Sequence, residues 1–260
     1  MTKSARLGQN FLRDSRIARR IVDLLEAPTG PILEIGAGQG ILSVLLLEKF
    51  PGQGITLVEV DPRLVAELER RFARRAEILA GDILQADLAG MFPGGRAAVI
   101  GNLPYHISKP LVDWLIAQRR GIGEAVLMLQ KDFVDKLLSP PGGKKYNAQS
   151  VVFQLLFQAR RCFDVPAGAF VPAPKVKSTV IAARPADSSL GDPAGPFYAF
   201  VKLCFTGRRK TLWNTLAPHY PHELLAGAGL TSTIRAEQLS PGRFAELFGV
   251  LERSGSGPLP

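Results

Sequence analysis

Residues 31–61 read PILEIGAGQGILSVLLLEKFPGQGITLVEVD, and this stretch decides the fold. A short run at 31–36, apolar on both faces, breaks into Glu34-Ile35-Gly36-Ala37-Gly38-Gln39-Gly40 directly before a helical pattern. A second run at 55–60 ends in Glu59-Val60-Asp61. Strand, glycine turn, helix, strand is the unit of a parallel sheet, because strands covered on both faces are apolar throughout rather than alternating. Glycines at the turn let the chain reverse sharply and let a ligand approach the backbone.

The rhythm extends in both directions. Runs at 77–80, 97–101 and 125–129 read as further buried strands. Between them Ile17, Ile21, Leu24 and Leu25 recur at helical spacing after a cap at Asp14, and Leu64, Leu68 and Phe72 do so after Asp61-Pro62. Leu111, Leu115 and Ile116 follow Ser108, another expected cap. Runs at 151–157 and 178–183 are expected to add a terminal pair at the sheet edge. The fold expected is α/β: a Rossmann-like, mostly parallel, doubly wound sheet of seven strands. Residues 185–196 (PADSSLGDPAGP) break all periodicity and read as a linker. Beyond them the chain reads as helical near 196–206, 208–217, 221–229 and 236–252. The expected division is therefore 1–185 as the α/β domain and 186–260 as a small all-α domain.

The composition, 46% hydrophobic and 21% charged over 260 residues, supplies a core without need of metal or disulfide. Cys162 and Cys204 lack a second thiol or a histidine at ligand spacing and read as buried, reduced thiols. No apolar run approaches a membrane span and no signal peptide precedes the first motif, so a cytoplasmic protein is expected. The net charge is +9, and its excess lies in residues 1–185, with 25 basic against 17 acidic side chains, versus 7 against 6 beyond. The basic residues bunch at Arg6, Arg13, Arg16, Arg19 and Arg20, at Arg70, Arg71, Arg74 and Arg75, and at Lys144, Lys145, Arg160 and Arg161. Such a balance favours a polyanionic partner through phosphate contacts, although a solvated basic surface has the same composition.

The ends of the strands carry the candidate site. A dinucleotide fingerprint would place its third glycine at position 41, which is Ile41. Glu59, ending the second strand, can accept the ribose hydroxyls of an adenosine. After the third strand comes Gly81-Asp82-Ile83, where Asp82 can accept from an adenine amino group and Ile83 can pack on the ring. With Gly36, Gly38 and Val60 these residues point to S-adenosylmethionine (SAM) ahead of a nicotinamide. Singly, Glu59 is also the neighbour of a helix cap and Asp82 an ordinary turn residue.

The fourth strand runs into Gly101-Asn102-Leu103-Pro104-Tyr105. The exocyclic amine of adenine is a poor nucleophile, because its lone pair is delocalised into the ring. A site that methylates it must accept hydrogen bonds from the amine hydrogens and draw the nitrogen toward tetrahedral geometry. Asn102 offers a side-chain carbonyl, the backbone carbonyl of Leu103 or Pro104 offers a second, and Tyr105 offers a face on which the base can stack. Catalysis would rest on placement and electrostatics, with the base flipped out or single-stranded. A plain turn before a helix is the structural alternative.

These landmarks, together with Leu7-Gly8-Gln9-Asn10-Phe11-Leu12, Phe170-Val171-Pro172-Ala173-Pro174-Lys175-Val176 and Arg208-Arg209-Lys210-Thr211-Leu212, resemble the rRNA adenine dimethyltransferase family along nearly the whole chain. The resemblance implies dimethylation of two adjacent adenosines in small-subunit (16S) rRNA, a part in small-subunit assembly, and action as a monomer. It implies that Gln9, Asn10 and Leu12 meet the methionine part of SAM, that Asn102 bridges cofactor and base, and that Phe170 closes on the base opposite Tyr105. It implies that Arg208, Arg209, Lys210, Lys144 and Lys145 face RNA, with no metal required. Departures are His106 in place of the usual Asn, Ser43 in place of Thr, and Asn147 in place of a Gly, where both residues tolerate positive φ.

Three alternatives stay open on the residues. The first is an antibiotic-resistance relative that methylates one adenosine of large-subunit rRNA. The second is an assembly factor that keeps the fold without activity, against which intact Asn102, Pro104, Tyr105, Glu59 and Asp82 speak. The third is a nicotinamide dehydrogenase, which lacks a glycine at position 41 and a credible hydride-site acid.

Overall fold

A computed structural model describes residues 10–26, 28–187, 195–207 and 210–253. The chain divides into two compact units. One comprises residues up to Val134 together with Gln158–Pro185, and the other Asp135–Phe157 together with residues from Ala186 on. The stretch Asp135–Phe157, lying within the expected 1–185 domain, clusters with the C-terminal residues.

The first unit is built on a seven-stranded sheet: β2 (Ile32–Ile35), β3 (Ile55–Glu59), β4 (Glu77–Ala80), β5 (Ala97–Asn102), β6 (Ile122–Gln130), β7 (Phe157–Val165) and β9 (Ser178–Pro185). The strand order is β4-β3-β2-β5-β6-β9-β7. The pairs from β4 through β6 are parallel, and β9 runs antiparallel to β6 with Gln130 opposite Ser178. Outside the sheet β1 (Phe11–Leu12) pairs with β8 (Phe170–Val171), bringing Leu12 opposite Phe170. Helices α1 (Ser15–Val22), α2 (Ile41–Lys49), α3 (Pro62–Phe72), α4 (Leu88–Met91), α5 (Ser108–Ala117) and α6 (Lys131–Leu137) alternate with the strands. All four residues of β2 and all five of β3 are buried, which accounts for their continuous apolar reading.

Local chemistry sets several boundaries. Asp14 caps α1 by accepting from Arg16 and Ile17 amides at 2.9 and 3.3 Å. Asp61 caps α3 in the same way, with Pro62 in its first turn. Ser108 is not the cap of α5: Ile107 takes that position, and Ser108 Oγ instead donates to the Tyr105 carbonyl at 3.0 Å.

Two further expectations are corrected. Residues 151–157 are not a strand; all but Phe157 lie in α7 (Ala148–Leu156), whose buried residues include Val151, Val152, Phe153 and Leu156. A capping box starts that helix, with Asn147 Oδ1 accepting from Ser150 and Ser150 Oγ from the Asn147 amide. Burial on most sides overrides the β preference of the paired valines. The edge strand is instead β7, one segment later. Asn147 does not adopt positive φ: its backbone is extended (φ −156°), as a helix cap requires.

The second unit also contains α8 (Pro196–Cys204), α9 (Leu212–Leu216), α10 (His222–Gly227) and α11 (Pro241–Arg253), matching the helical pieces expected there. Its core is aromatic. Phe200 and Phe248 lie 5.5 Å apart, Phe205 and Phe244 5.8 Å, and buried Tyr146 donates to the Leu239 carbonyl at 3.1 Å. Both cysteines are free, but only Cys204 is buried; Cys162, on the edge strand, is half-buried against the rim of the core. No helix among the described residues is long and apolar enough to cross a membrane.

Candidate active site

The carboxyl ends of β2, β3, β4 and β5 open onto a cavity of about 300 Å³ in the first unit. β2 has β3 on one side and β5 on the other, so the cavity lies at the topological switch point, where ligands bind in doubly wound sheets. The glycine turn forms its floor, with φ of +67° at Gly36, +57° at Gly38 and +79° at Gly40. At Gly40 a Cβ would also meet the Phe72 ring at 2.7 Å, so packing as well as conformation demands glycine there. The ring of Phe11, which also lines the cavity, lies 3.5 Å from where a Gly38 Cβ would stand.

Glu59 is 4% exposed, and its carboxylate organises the turn. Oε2 accepts from the Gly38 amide at 2.9 Å, while Oε1 accepts from Val60 and Asp61 amides at 2.9 and 3.0 Å. A carboxylate has about four acceptor positions, so three are engaged and capacity remains toward the cavity. Val60, next along the chain, is an apolar side chain left 54% exposed against this space. Asp82 is exposed and caps the 3-10 turn that follows β4, accepting from the Leu84 amide at 3.0 Å, while Ile83 is buried. The structure therefore gathers Asn10, Leu12, Gly36, Gly38, Glu59, Val60, Asp82 and Ile83 around one cavity. Gln9 lies outside the described residues.

Asn102, Leu103, Pro104, Tyr105 and Phe170 line the same cavity. Gly101 brings β5 against β2 so closely that a Cβ there would sit 2.7 Å from the Ile35 carbonyl oxygen. That approach sets Asn102 beside the glycine turn, its backbone oxygen 3.8 Å from where a Gly36 Cβ would be. The Leu103 side chain is buried, so only its backbone can serve a ligand. The Pro104 carbonyl accepts from the Ile107 amide at 3.2 Å in the 3-10 turn Tyr105–Ile107. Tyr105 is half-buried, and its hydroxyl is 2.8 Å from Ser178 Oγ. Burial pushes the Tyr105 phenol up and the Ser178 bond partly opposes that. Phe170 is 3% exposed, so it is both a core aromatic and a wall of the cavity. Its neighbour Val171 is 49% exposed, and with Val60 it makes up the large exposed hydrophobics of the described residues.

Several cavity residues carry no clear signal in the sequence. Glu34 is 2% exposed on the cavity floor and accepts from Ser43 Oγ at 2.6 Å. Burial pushes its carboxyl up to about 8, against the lowering bond from Ser43 and with a smaller raising contribution from the Glu59 charge. Its one hint is a charged residue inside an otherwise apolar strand. Ser178, which meets the Tyr105 hydroxyl without itself lining the cavity, has no local hint. His106, which replaces the usual Asn, is exposed and lines the cavity.

Of the expected RNA contacts, Arg208 and Arg209 lie outside the described residues. Lys210, Lys144 and Lys145 are exposed in the second unit, and Lys145 pairs with Asp135 at 3.3 Å. Part of the basic excess is engaged locally: Arg16 with Asp14, Arg63 with Asp61, and Arg20 over the Phe163 ring at 3.9 Å. Among the described residues no cluster of three or more His, Cys, Asp or Glu could hold a metal ion.

Residues 1–253 match the family model described as ribosomal RNA adenine dimethylase. The chain is similar to a Geobacter metallireducens protein named ribosomal RNA small subunit methyltransferase A, 40% identical over 257 residues that cover 93% of this chain and 92% of that one. Among solved structures it is similar to a dimethyladenosine transferase from Plasmodium falciparum, with a TM-score of 0.80, 25% identity and coverage of 95% and 98%. It is also similar to the 23S rRNA methyltransferase ErmE, with a TM-score of 0.71, 28% identity and coverage of 94% and 100%.

Proposed function

The chain belongs to the ribosomal RNA adenine dimethylase family, and from that premise we propose that its cavity holds SAM along the ends of β2, β3 and β4 and presents the target adenine at the end of β5. The protein is an rRNA adenine dimethyltransferase, and its substrate is a pair of adjacent adenosines in small-subunit rRNA, within the subunit or its precursor. Its action belongs to small-subunit biogenesis and hence to the cytoplasm, where the ribosome is. It acts as a monomer.

The donor and acceptor set fits the cofactor. Glu59 has acceptor capacity left for ribose hydroxyls, Val60 and Ile83 offer apolar surface for a purine, and Asp82 can accept from its amino group. Asn10 and Leu12 close over the methionine end beside Gly36 and Gly38. When bound, SAM supplies an electrophilic methyl on a sulfonium sulfur.

The chain's own residues do the rest. Asn102 Oδ1 and the Leu103 carbonyl accept the two amine hydrogens, holding the nitrogen lone pair toward the cofactor. Leu103 is the better backbone acceptor because the Pro104 carbonyl already accepts from Ile107. Tyr105 and Phe170 stack on either side of the base and exclude water. Residues 186–260, with Arg208, Arg209 and Lys210, and Lys144 and Lys145 from the same unit, engage RNA phosphates. One observation carries this reading: Asn102 shares a single cavity with Glu59 and Asp82.

The test is primer extension across both rRNAs from a strain lacking the gene and from one with it restored. Loss and return of two adjacent small-subunit marks is the expected result. A mark lost from large-subunit rRNA instead would favour the ErmE-like specificity, and no change in either would leave an assembly role without transfer.

A further inference from the structure

We infer that Ser178 is a positioning residue for the transfer, acting through the hydroxyl of Tyr105 to fix the ring on which the target base stacks. The inference rests on the assignment of Tyr105 to the base-binding wall. Ser178 is 1% exposed, and its hydroxyl lies 2.8 Å from that of Tyr105, a residue 73 positions away. Every neighbour holds it still. It opens β9 opposite Gln130, the preceding Lys177 carbonyl accepts from the Lys131 amide at 2.9 Å, and the following Thr179 donates to Asp164 at 2.6 Å.

Tyr105 is held at its other end too, since its backbone carbonyl accepts from Ser108 Oγ at 3.0 Å. A ring fixed only at its backbone can swing about its side-chain torsions; one whose hydroxyl is also anchored cannot without breaking the bond. The anchor has a second consequence. Phe170, the opposite wall, and Ser178 flank one short loop, so that a single stretch of chain supplies one aromatic wall and the tether of the other. Ser178 thereby sets the gap between the walls, which must match the thickness of a base.

The experiment compares single-turnover methyl transfer to small subunits for Ser178→Ala, Tyr105→Phe, the double variant, Ser178→Thr and Tyr105→Ala, with SAM affinity and melting temperature measured alongside. Loss of one neutral hydrogen bond predicts roughly a fivefold fall in the transfer rate for Ser178→Ala and for Tyr105→Phe. The double variant should fall no further, because both changes cut one bond. SAM affinity should not move, and Ser178→Thr, which restores the hydroxyl and suits a strand, should recover most of the rate. A Ser178→Ala rate within twofold of the unaltered enzyme, or losses that multiply in the double variant, would overturn the inference. Tyr105→Ala separates the two levels. If it falls steeply while Ser178→Ala does not, only the Ser178 role fails; if it transfers normally, the base-binding role of Tyr105 fails as well.

Discussion

The backbone amide of Gly38 donates to Glu59 Oε2 at 2.9 Å, so the glycine turn after β2 and the carboxylate that ends β3 form one structural unit. Glu59 also receives the Val60 and Asp61 amides, and its remaining acceptor capacity faces the cavity.

Replacing Glu59 with Gln keeps the shape but removes the charge behind these bonds. SAM affinity should fall roughly tenfold or more, since hydrogen bonds to a charged group contribute about 1.5–3 kcal/mol each. Titration calorimetry measures this directly, and an unchanged Kd would detach Glu59 from the cofactor.

Glu34 predicts a pH dependence of stability. Its carboxyl sits near 8 in the folded chain against an ordinary value of 4.5, because burial disfavours the charge. Between those values the unfolded chain has released the proton and the folded chain has kept it, so stability falls as pH rises from about 4.5 to about 8. The loss is on the order of a few kcal/mol at most. Glu34→Gln should flatten this part of the melting curve and be the more stable protein at pH 8.5. Parallel curves for the two proteins from pH 5 to 8.5 would contradict it.

Gly101 of β5 lies opposite Ile35 of β2. A Cβ there would be 2.7 Å from a backbone oxygen, which can yield only if the strands part. Gly101→Ala should cost about 1–3 kcal/mol, lowering the melting temperature by several degrees and displacing Asn102 with it. An unchanged melting temperature would mean the sheet absorbs the methyl group.

Strands β2, β3 and β5 are legible because both faces are buried, so their apolar runs stand out from the flanking charge; β4, read as buried, is the sheet's edge strand and its four residues are half-buried or exposed. β7 is not legible, because an edge strand carrying Arg160, Arg161 and Asp164 on exposed positions has no continuous apolar run. Its place was given to 151–157, where adjacent valines imitate a strand; the helix was readable from Asn147 and Ser150, three apart, as a capping box. Most of the site was legible for a different reason. Turn and strand-end residues such as Glu59, Asp82 and Asn102 are positioned by local sequence. Ser178 owes its place beside Tyr105 to a tertiary neighbour 73 positions away, which no window of sequence contains.

Reversing Arg208 and Arg209 to Glu should weaken binding of small-subunit rRNA and reduce the slope of log affinity against log salt, as fewer counterions are released. SAM affinity should be unaltered. Filter binding over a range of salt would show it, and an identical slope would move the RNA surface elsewhere.

Asn102 is the residue on which transfer depends, and the most direct test is the rate of labelled methyl transfer from SAM to small subunits by Asn102→Ala under single-turnover conditions. The rate should fall about a hundredfold or more, as expected for loss of a placed acceptor, while SAM and rRNA binding persist. Transfer at the unaltered enzyme's rate by a protein that binds both normally would contradict it.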